Sequence, residues 1–456
     1  MPFVPSALAR LDTERRRRYR DNLAFYRGDQ WPSAPRRRRP LADRLTFNYA
    51  RALVDKVTAY LMQGHDVAVD PVDDSPEPVA RARRAEAVLR EVRDAGGLEQ
   101  LDYETETDCA VLGDACYKVT WDAERGGARV TAPDVDGLFA WWRPDDPRQV
   151  VQVAARYRLQ PDEARALFGV GDLRAPAWAA ELWTTDRFEL YLDDRPHLRG
   201  PNPYGFIPFV IFPNLREPKQ FWGLSDLEQV RESAVELNRA LSQLSRILEL
   251  SGNPVAVLEN VQAAEDIAVQ PGAVWELPAE ARAYLLDLLQ GGGVRLHVDY
   301  IDLLYRTLHD LAEAPRSAFG ENRAGLSGVA LNTELDPLMK KVERKRLIRT
   351  AAYRRRGELV LRLHERMTGE RLFPCRVRPQ WGPVLPQDRS RQVADERVLV
   401  AAGVHARRTA ASALGVDDPE AEFARWLEEL RATQTAADAH RPGAEEAQGR
   451  DGPRSR

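Results

Sequence analysis

An α+β fold is predicted by three features of this chain of 456 residues. Residues 225–250, SDLEQVRESAVELNRALSQLSRILEL, place Leu227, Val230, Ala234, Leu237, Leu241, Leu244 and Leu248 at alternating steps of three and four, one narrow seam of a helix about 40 Å long. Residues 115–121, Ala-Cys-Tyr-Lys-Val-Thr-Trp, alternate with the period of a strand. Residues 253–293 read as a small β unit between two such rods. Helices and antiparallel strands in separate runs make an α+β class. The rod of 225–250 fits either the core of a large α+β enzyme or a helix that packs against a neighbouring one.

Taken in order, Leu8, Leu11, Tyr19, Leu23 and Tyr26 recur at helical intervals, and Gly28 closes that first helix. The Arg runs 15–18 and 36–39 read as solvated faces. Residues 48–64 predict an amphipathic helix burying Ala50, Leu53, Val54, Val57 and Leu61. An Ala/Arg/Glu helix lies within 71–97 and another spans Leu98 to Leu112, stopped by Gly113-Asp114. Strands follow at 115–121 and 128–131 across a Gly126-Gly127 turn, then near 139–142, 150–157, 181–183, 188–192 and 208–212, so the first half carries a curved, mostly antiparallel sheet.

Ser225 with Glu228 has the form of a capping box at the start of the rod, and Gly252-Asn253-Pro254 stops it. Residues 255–258, 269–277 and 283–286 supply the β unit, and Gly291-Gly292-Gly293 frees the chain to reverse. The second rod has the seam Val294, Val298, Ile301, Tyr305, Leu308 and Ala312, and Pro315 ends it. After a Gly- and Ser-containing loop, Pro337 in a first turn predicts a third long helix, with the stripe Leu338, Val342, Ile348, Ala352, Leu359, Leu363 and Met367. Lys340, Lys341, Arg344, Lys345, Arg346 and Arg349 crowd its other faces. Short helices fill 389–430, and 433–456, nearly free of aliphatic residues, reads as disordered.

Composition narrows the functional classes. Sixty-six Lys and Arg nearly balance 70 Asp and Glu for a net charge of −4, so contact with nucleic acid is local or weak rather than a clamp. Cys109, Cys116 and Cys375 suggest neither a disulfide framework nor a zinc site, and a reducing compartment fits them. The first residues lack the apolar run of a signal peptide, and no window approaches the roughly 18 apolar residues of a membrane span.

Gly320 to Gly328 has no Lys after its glycines, His364-Glu365 has no second His one turn on, and no G-x-S-x-G occurs. Glu104, Glu106 and Asp108, or Asp134 and Asp136, are the acids that could hold the Mg²⁺ of a nuclease. The first set lies on an amphipathic helix and the second at a turn, where Asp commonly bonds the local backbone. These patterns assign no catalytic residue, cofactor or metal.

Motifs spread along the chain carry a resemblance. They are Phe25-Tyr26-Arg27-Gly28-Asp29-Gln30, Asn48-Tyr49, Gly113-Asp114-Ala115-Cys116-Tyr117, Asn202-Pro203-Tyr204-Gly205-Phe206-Ile207-Pro208, Gly223-Leu224-Ser225-Asp226-Leu227, Leu237-Asn238, Leu326 to Leu331 and Leu414 to Glu422. In this order and spacing the chain resembles the portal proteins of tailed bacteriophages, of the SPP-like siphophage type.

The resemblance implies a portal fold with a mixed α/β wing at 1–223, stem helices at 224–252 and 294–316, and a small β-containing clip at 253–293. It further implies a tunnel loop at 317–331, a long tunnel helix with a return to the wing over 332–387, an α-helical crown at 388–432 and a tail at 433–456. It implies a dodecameric homo-oligomer at one capsid vertex of the virion, assembled in the host cytoplasm. Double-stranded DNA would pass through the ring, which would meet terminase, a head-completion or adaptor protein, and the major capsid and scaffolding proteins, with no membrane and no enzymatic role.

Loop residues Arg316, Asn322, Arg323 and Ser327 become candidates for transient phosphate contact. Leu227, Val230, Leu237, Leu241, Leu244, Leu248, Ile301, Tyr305 and Leu308 become a seam between subunits. The basic helix of Lys340, Lys341, Arg344, Lys345 and Arg349 either faces the tunnel or pairs with acids of a neighbouring subunit, the second being favoured. The other classes that remain are a metal-dependent nuclease and a monomeric DNA-binding scaffold.

Overall fold

A computed structural model of the chain describes residues 4–31, 44–171, 173–252, 255–259, 280, 282–286, 293–321, 328–385, 389–416 and 418–439. It divides into two compact units, Met1–Val384 and Leu385–Arg456.

In the first unit a short 3-10 helix, Pro5–Arg10, precedes α1 (Thr13–Tyr26). The two are separated at Asp12, whose φ of 50° breaks the helical path, so Leu8 is buried while Leu11 is exposed. The expected single helix is therefore two. Arg15 is not part of a solvated face: it is buried, donates to the carbonyls of Val135 (3.1 Å) and Leu138 (2.7 Å), and lies 3.9 Å from the Trp222 ring. Residues 36–39 lie outside the described residues.

Helix α2 (Tyr49–Leu61) is capped by Asn48 and buries Ala50, Leu53, Val54, Val57 and Leu61, the five expected positions. Strand β1 (Asp66–Asp70), α3 (Pro76–Gly96) and α4 (Leu98–Leu112) follow. The β-rich stretch contains β2 (Asp114–Asp122), β3 (Gly127–Thr131), β4 (Leu138–Arg143) and β5 (Asp146–Leu159). After α5 (Pro161–Phe168) come β6 (Ala177–Thr184), β7 (Arg187–Leu192), β8 (Arg195–Pro201) and β9 (Phe209–Pro213). The rods are α6 (Asp226–Gly252) and α7 (Gly293–Ala312), and between them stand β10 (Val255–Glu259) and β11 (Arg282–Leu286). Helix α8 (Gly328–Thr368) and β12 (Arg376–Gln380) complete the unit.

The strands do not form one curved sheet. Among the described residues they form four antiparallel ones, with orders β1-β12, β10-β11, β3-β2-β9 and β4-β5-β6-β7-β8. Pairing of β1 with β12 joins residues some three hundred positions apart, too far for either five-residue strand to announce it. The exposed edge strand β8 carries Pro196 and Pro201, which disguise it in the sequence.

Helix α8 begins at Gly328, so Pro337 lies inside it rather than in its first turn. Proline removes one rung of the ladder, which a helix packed along most of its length tolerates. Leu338, Val342, Leu359 and Leu363 of its stripe are fully buried, and Tyr353 joins Tyr117 and Phe212 in the core beneath β2 and β9. The stripe ends before Met367, which is exposed.

The predicted capping box at α6 is half formed. Ser225 Oγ accepts from the Leu227 N–H (3.1 Å) and donates to the Ala110 and Val111 carbonyls at the end of α4, while the Glu228 carboxylate pairs with Arg18 (3.9 Å). Here the chain crosses itself closely. A Cβ on Gly223 would fall 2.5 Å from the Gly113 carbonyl oxygen and 2.8 Å from that of Leu215. Gly113, at φ +110°, faces the Ser225 amide in turn.

The second unit contains α9 (Arg389–Ala401), α10 (Arg407–Ala413) and α11 (Pro419–Ala439). Phe423 and Trp426 of α11 stack at 5.5 Å under Arg407 and Arg408 of α10. Helix α11 enters the segment expected to be disordered by seven residues, because Phe423 and Trp426 hold its first turns while Ala-rich sequence propagates the rest. Residues 440–456 lie outside the described residues.

Gly223→Ala should destabilise the first unit by about 1–3 kcal/mol, since two carbonyl oxygens must move. Urea unfolding checks this, and a midpoint equal to the parent's contradicts the close approach.

Candidate functional site

The buried charges of the basic helix are taken up inside its own chain. Lys345, fully buried, bonds the Asp226 carboxylate at the head of α6, and Lys341 approaches the same carboxylate at 3.2 Å. Lys341 also donates to the Ala312 carbonyl at the end of α7 (2.9 Å), so one lysine joins both rods to α8. Arg349, also fully buried, holds Glu106 of α4 through two bonds of 2.8 and 2.7 Å and donates to the Asn214 carbonyl (2.7 Å). One to two turns on, Arg356 pairs with Asp102, which also accepts from Tyr117 Oη (2.8 Å). Arg346 donates to the carbonyls of Leu61, Gln63 and Gly382. The exposed members pair locally, Lys340 with Glu343 (3.0 Å) and Arg344 with Glu313 (2.6 Å).

Burial alone would raise the Asp226 carboxyl, but Lys341 and Lys345 overcome it and hold the group well below the usual carboxylate range. Burial lowers Lys345, with Asp226 opposing it. Of the acids weighed as nuclease ligands, Glu106 pairs with Arg349, Glu104 accepts from Gln100 (2.7 Å) and Asp136 pairs with Arg16 (3.0 Å), while burial and the nearby charges of Asp134 and Glu104 raise the Asp108 carboxyl. Asp134 accepts from the Asp136 N–H (2.9 Å), a local turn bond. Among the described residues no three His, Cys, Asp or Glu side chains gather as a metal site.

A second anchor lies beside the first. Asp114 Oδ1 accepts from the Gly223 N–H (2.8 Å) and Oδ2 from Tyr19 Oη (2.6 Å), tying α1 and β2 to the approach of α6. Burial pushes the Asp114 carboxyl up to about 7, against Tyr19, Gly223 and Arg15. A third anchor is a network of amides. Asn238 Nδ2 donates to Gln30 Oε1 (2.6 Å), Gln30 Nε2 to Asn48 Oδ1 (2.7 Å), and Asn48 Nδ2 to the Tyr26 carbonyl (2.8 Å).

These anchors divide the seam. Leu227, Val230 and Leu237 on α6 and Leu308 on α7 are buried within their own chain and keep no surface for a neighbour. Tyr305 packs on Tyr49 at 5.0 Å and under Arg316 at 4.7 Å. The inner half of the expected seam is therefore a core, because α1, α2 and α4 of the same chain pack on the root of α6 and α8 reaches both rods through Lys345 and Lys341. Farther out the situation reverses: Leu241, Leu244 and Ile301 are half-buried and Leu248 is 52% exposed. On α7, Leu296 is 72% and Leu303 59% exposed, with Val298 and Tyr300 also open; at the root end Leu311 is exposed as well. Leu296, Tyr300 and Leu303 form a second stripe, four and three residues apart, beside the one read from the sequence. That spacing was the available signal.

Arg316 pairs with Glu321 (2.5 Å) and Asp302 (3.5 Å). Asn322, Arg323 and Ser327 lie outside the described residues.

The family described as phage portal protein, SPP1 Gp6-like, matches residues 8–436, nearly the whole chain. The chain belongs to the phage portal protein family. That family is structural, and its members serve the phage capsid in DNA packaging. No curated protein matches the sequence. The motifs of the portal chain that lie far apart in sequence meet at the roots of the rods: Gly113-Asp114 with Gly223-Leu224-Ser225, and Gln30 and Asn48 with Asn238. No helix among the described residues is long and apolar enough to cross a membrane.

Two outcomes follow for the portal subunit. Asp226→Asn leaves two buried ammonium groups facing no carboxylate and should cost about 3–5 kcal/mol, whereas Lys345→Met leaves the Asp226–Lys341 pair and should cost less. Denaturant titration checks the order, and the reverse order contradicts the assignment. At Asp114 the folded state binds its proton more tightly than the unfolded one. Its contribution is therefore full below about pH 4 and is lost as pH rises to about 7. Asp114→Asn, which keeps the Gly223 contact and turns an amide N–H toward the Tyr19 hydroxyl, should flatten the stability profile over that window; an unchanged slope contradicts it.

Proposed function

We propose that the chain closes with copies of itself into a ring, twelve in the virion, whose wall is built from the outer halves of α6 and α7. The observation that carries this is the contrast along each rod: roots saturated inside the chain, outer halves exposing Leu248, Leu296, Val298 and Leu303. Apolar residues at helical spacing on a soluble chain call for cover. A surface that meets a different surface of the next subunit repeats head to tail until the rotation closes.

In this reading residues 1–223 are the wing, α6 and α7 lie in the stem of 224–252 and 294–316, and 253–293 form the clip. Residues 317–331, the last four of them already in α8, are the tunnel loop, 332–387 the long helix and its return to the wing, 388–432 the crown, and 433–456 a tail. Duplex DNA carries about one negative charge per 1.7 Å of axis, and a channel in which it slides must not hold it tightly. A net charge of −4 and the internal pairing of Lys341, Lys345, Arg349 and Arg356 favour such a channel. Terminase would drive DNA through the ring. Head-completion or adaptor proteins would dock at the clip, and the major capsid and scaffolding proteins would surround the wing. The site is the capsid vertex of the virion, reached after assembly in the host cytoplasm.

Leu244→Asp and Leu303→Asp should each abolish ring formation and leave a folded subunit, as read by light scattering beside far-UV circular dichroism. Rings of parental size from both variants contradict the reading.

A further inference from the structure

One face of the five-stranded sheet is covered over only part of its length. Leu8 packs there with Ala154 of β5 and with Ala180 and Leu182 of β6. Alternate residues of a strand share a face, so the next positions on that face are Arg156 and Arg158 of β5 and Trp178 of β6, with Arg158 directly opposite Trp178. The Arg156 guanidinium lies 3.7 Å from the centre of the Trp178 ring and that of Arg158 lies 6.0 Å from it. The indole stays 41% exposed.

The surroundings of this group are rigid. The Trp178 N–H donates to Asp193 Oδ1 (2.9 Å) and its carbonyl accepts from the Asp193 N–H (2.9 Å), in a β7–β8 turn where Asp193 and Asp194 both take positive φ. On the other side the 3-10 turn Val135–Gly137 lies directly on β5, since a Cβ on Gly137 would fall 2.3 Å from the Arg156 carbonyl oxygen. That turn, with Pro133, Leu138, Phe139 and Trp178, walls a hollow of about 420 Å³, a volume in the range of ligand clefts.

The two arginines lack counter-charge. Arg16, which also lines the hollow, pairs with Asp136, but Arg156 and Arg158 pair with no carboxylate among the described residues. Arg156 is half-buried, and burial and the nearby Arg16 both work against its charge; Asp194 helps only at a distance, its carboxylate being taken by the Ser6 N–H (2.6 Å). A guanidinium matches a carboxylate with two parallel bonds, and stacking on an indole fixes its plane in advance. The apolar walls beside it suit an apolar side chain. Nucleic acid fits less well, because Asp134 and Asp136 line the hollow and Asp194 stands near Arg156, and a strand charged at every phosphate would have to pass all three.

We propose that Arg156, Arg158 and Trp178 form a docking site for an acidic segment of another protein, one that presents Asp or Glu beside an apolar residue. Trp and Arg are the residue types that most often carry the binding energy of protein interfaces. None of the three belongs to the rods, so the inference does not depend on the ring reading.

The test measures fluorescence anisotropy of a labelled Gly/Ser-rich peptide carrying Asp-Leu pairs, added to the full chain at low salt, where such contacts are least screened. Its affinity should exceed that of the Asn-Leu counterpart at least tenfold, a comparison made on the parent alone and independent of how any variant folds. Arg158→Glu should weaken the acidic peptide at least tenfold with the thermal midpoint unchanged, because Arg158 is exposed and pairs with nothing described. Arg187→Gln, an exposed cation at the opposite end of the sheet from Trp178, should bind as the parent does. Equal binding of the two peptides overturns the inference, as does parental binding by Arg158→Glu. A single-stranded oligonucleotide that binds the parent more tightly than the acidic peptide, and loses that advantage in Arg158→Glu, assigns the patch to nucleic acid and overturns it. Loss of subunit assembly in Arg158→Glu assigns the patch to a second copy and overturns it as well.

Discussion

The carboxylate of Asp226, set between Lys341 and Lys345, is the interaction on which the rest of this architecture depends. It lies at the first residue of α6, where the helix dipole also favours negative charge. Through Lys341 it reaches the last carbonyl of α7. Buried ion pairs are weak evidence for stability, because desolvation offsets most of the attraction. They do specify register. Sliding α8 by one turn would strand Asp226, Glu106 and Asp102 away from Lys345, Arg349 and Arg356 and leave several charges buried without partners. Four cations facing three carboxylates are completed by the carbonyls of Ala312, Pro213 and Asn214, so the excess positive charge is met by oriented dipoles.

Around that ion cluster the backbone itself is locked. Gly113 and Gly223 pass at a distance that admits no side chain, Asp114 bonds across the crossing, and Ser225 joins the end of α4 to the head of α6. The amide network through Gln30, Asn48 and Asn238 holds the N-terminal helices to the same rod about three turns farther out. Each short motif is a turn with a few polar residues. Together they form the socket of α6, which gives the matched residues of the family a common physical task.

Much of this was legible from periodicity. The five buried positions of α2, the bounds of α4 and the two rods follow from spacing alone, because a helix with one apolar stripe has few other ways to bury it. What spacing could not supply was the identity of the neighbour. The leucines of α6 read as one seam, yet Leu227, Val230 and Leu237 face their own chain while Leu248 faces solvent. The basic run of α8 looked unpartnered because its acids lie between about 100 and 250 positions away on α4 and α6. Pairing of β1 with β12 was hidden for the same reason. Pro337 misled in another way, since a proline marks a helix start only when tertiary packing does not carry the helix through it.

The portal chain thus combines a root held by buried charge with rods whose outer halves carry unspent apolar surface. The central claim is that assembly uses the second and leaves the first untouched. Hydrogen exchange of the assembled protein against its dissociated subunit tests this directly, because amides slow where new packing suppresses local opening. The account predicts slowing concentrated at residues 241–250 and 293–303, with 226–238 and 341–356 exchanging alike in both states. Slowing concentrated at the roots, or none along the outer rods, would contradict it.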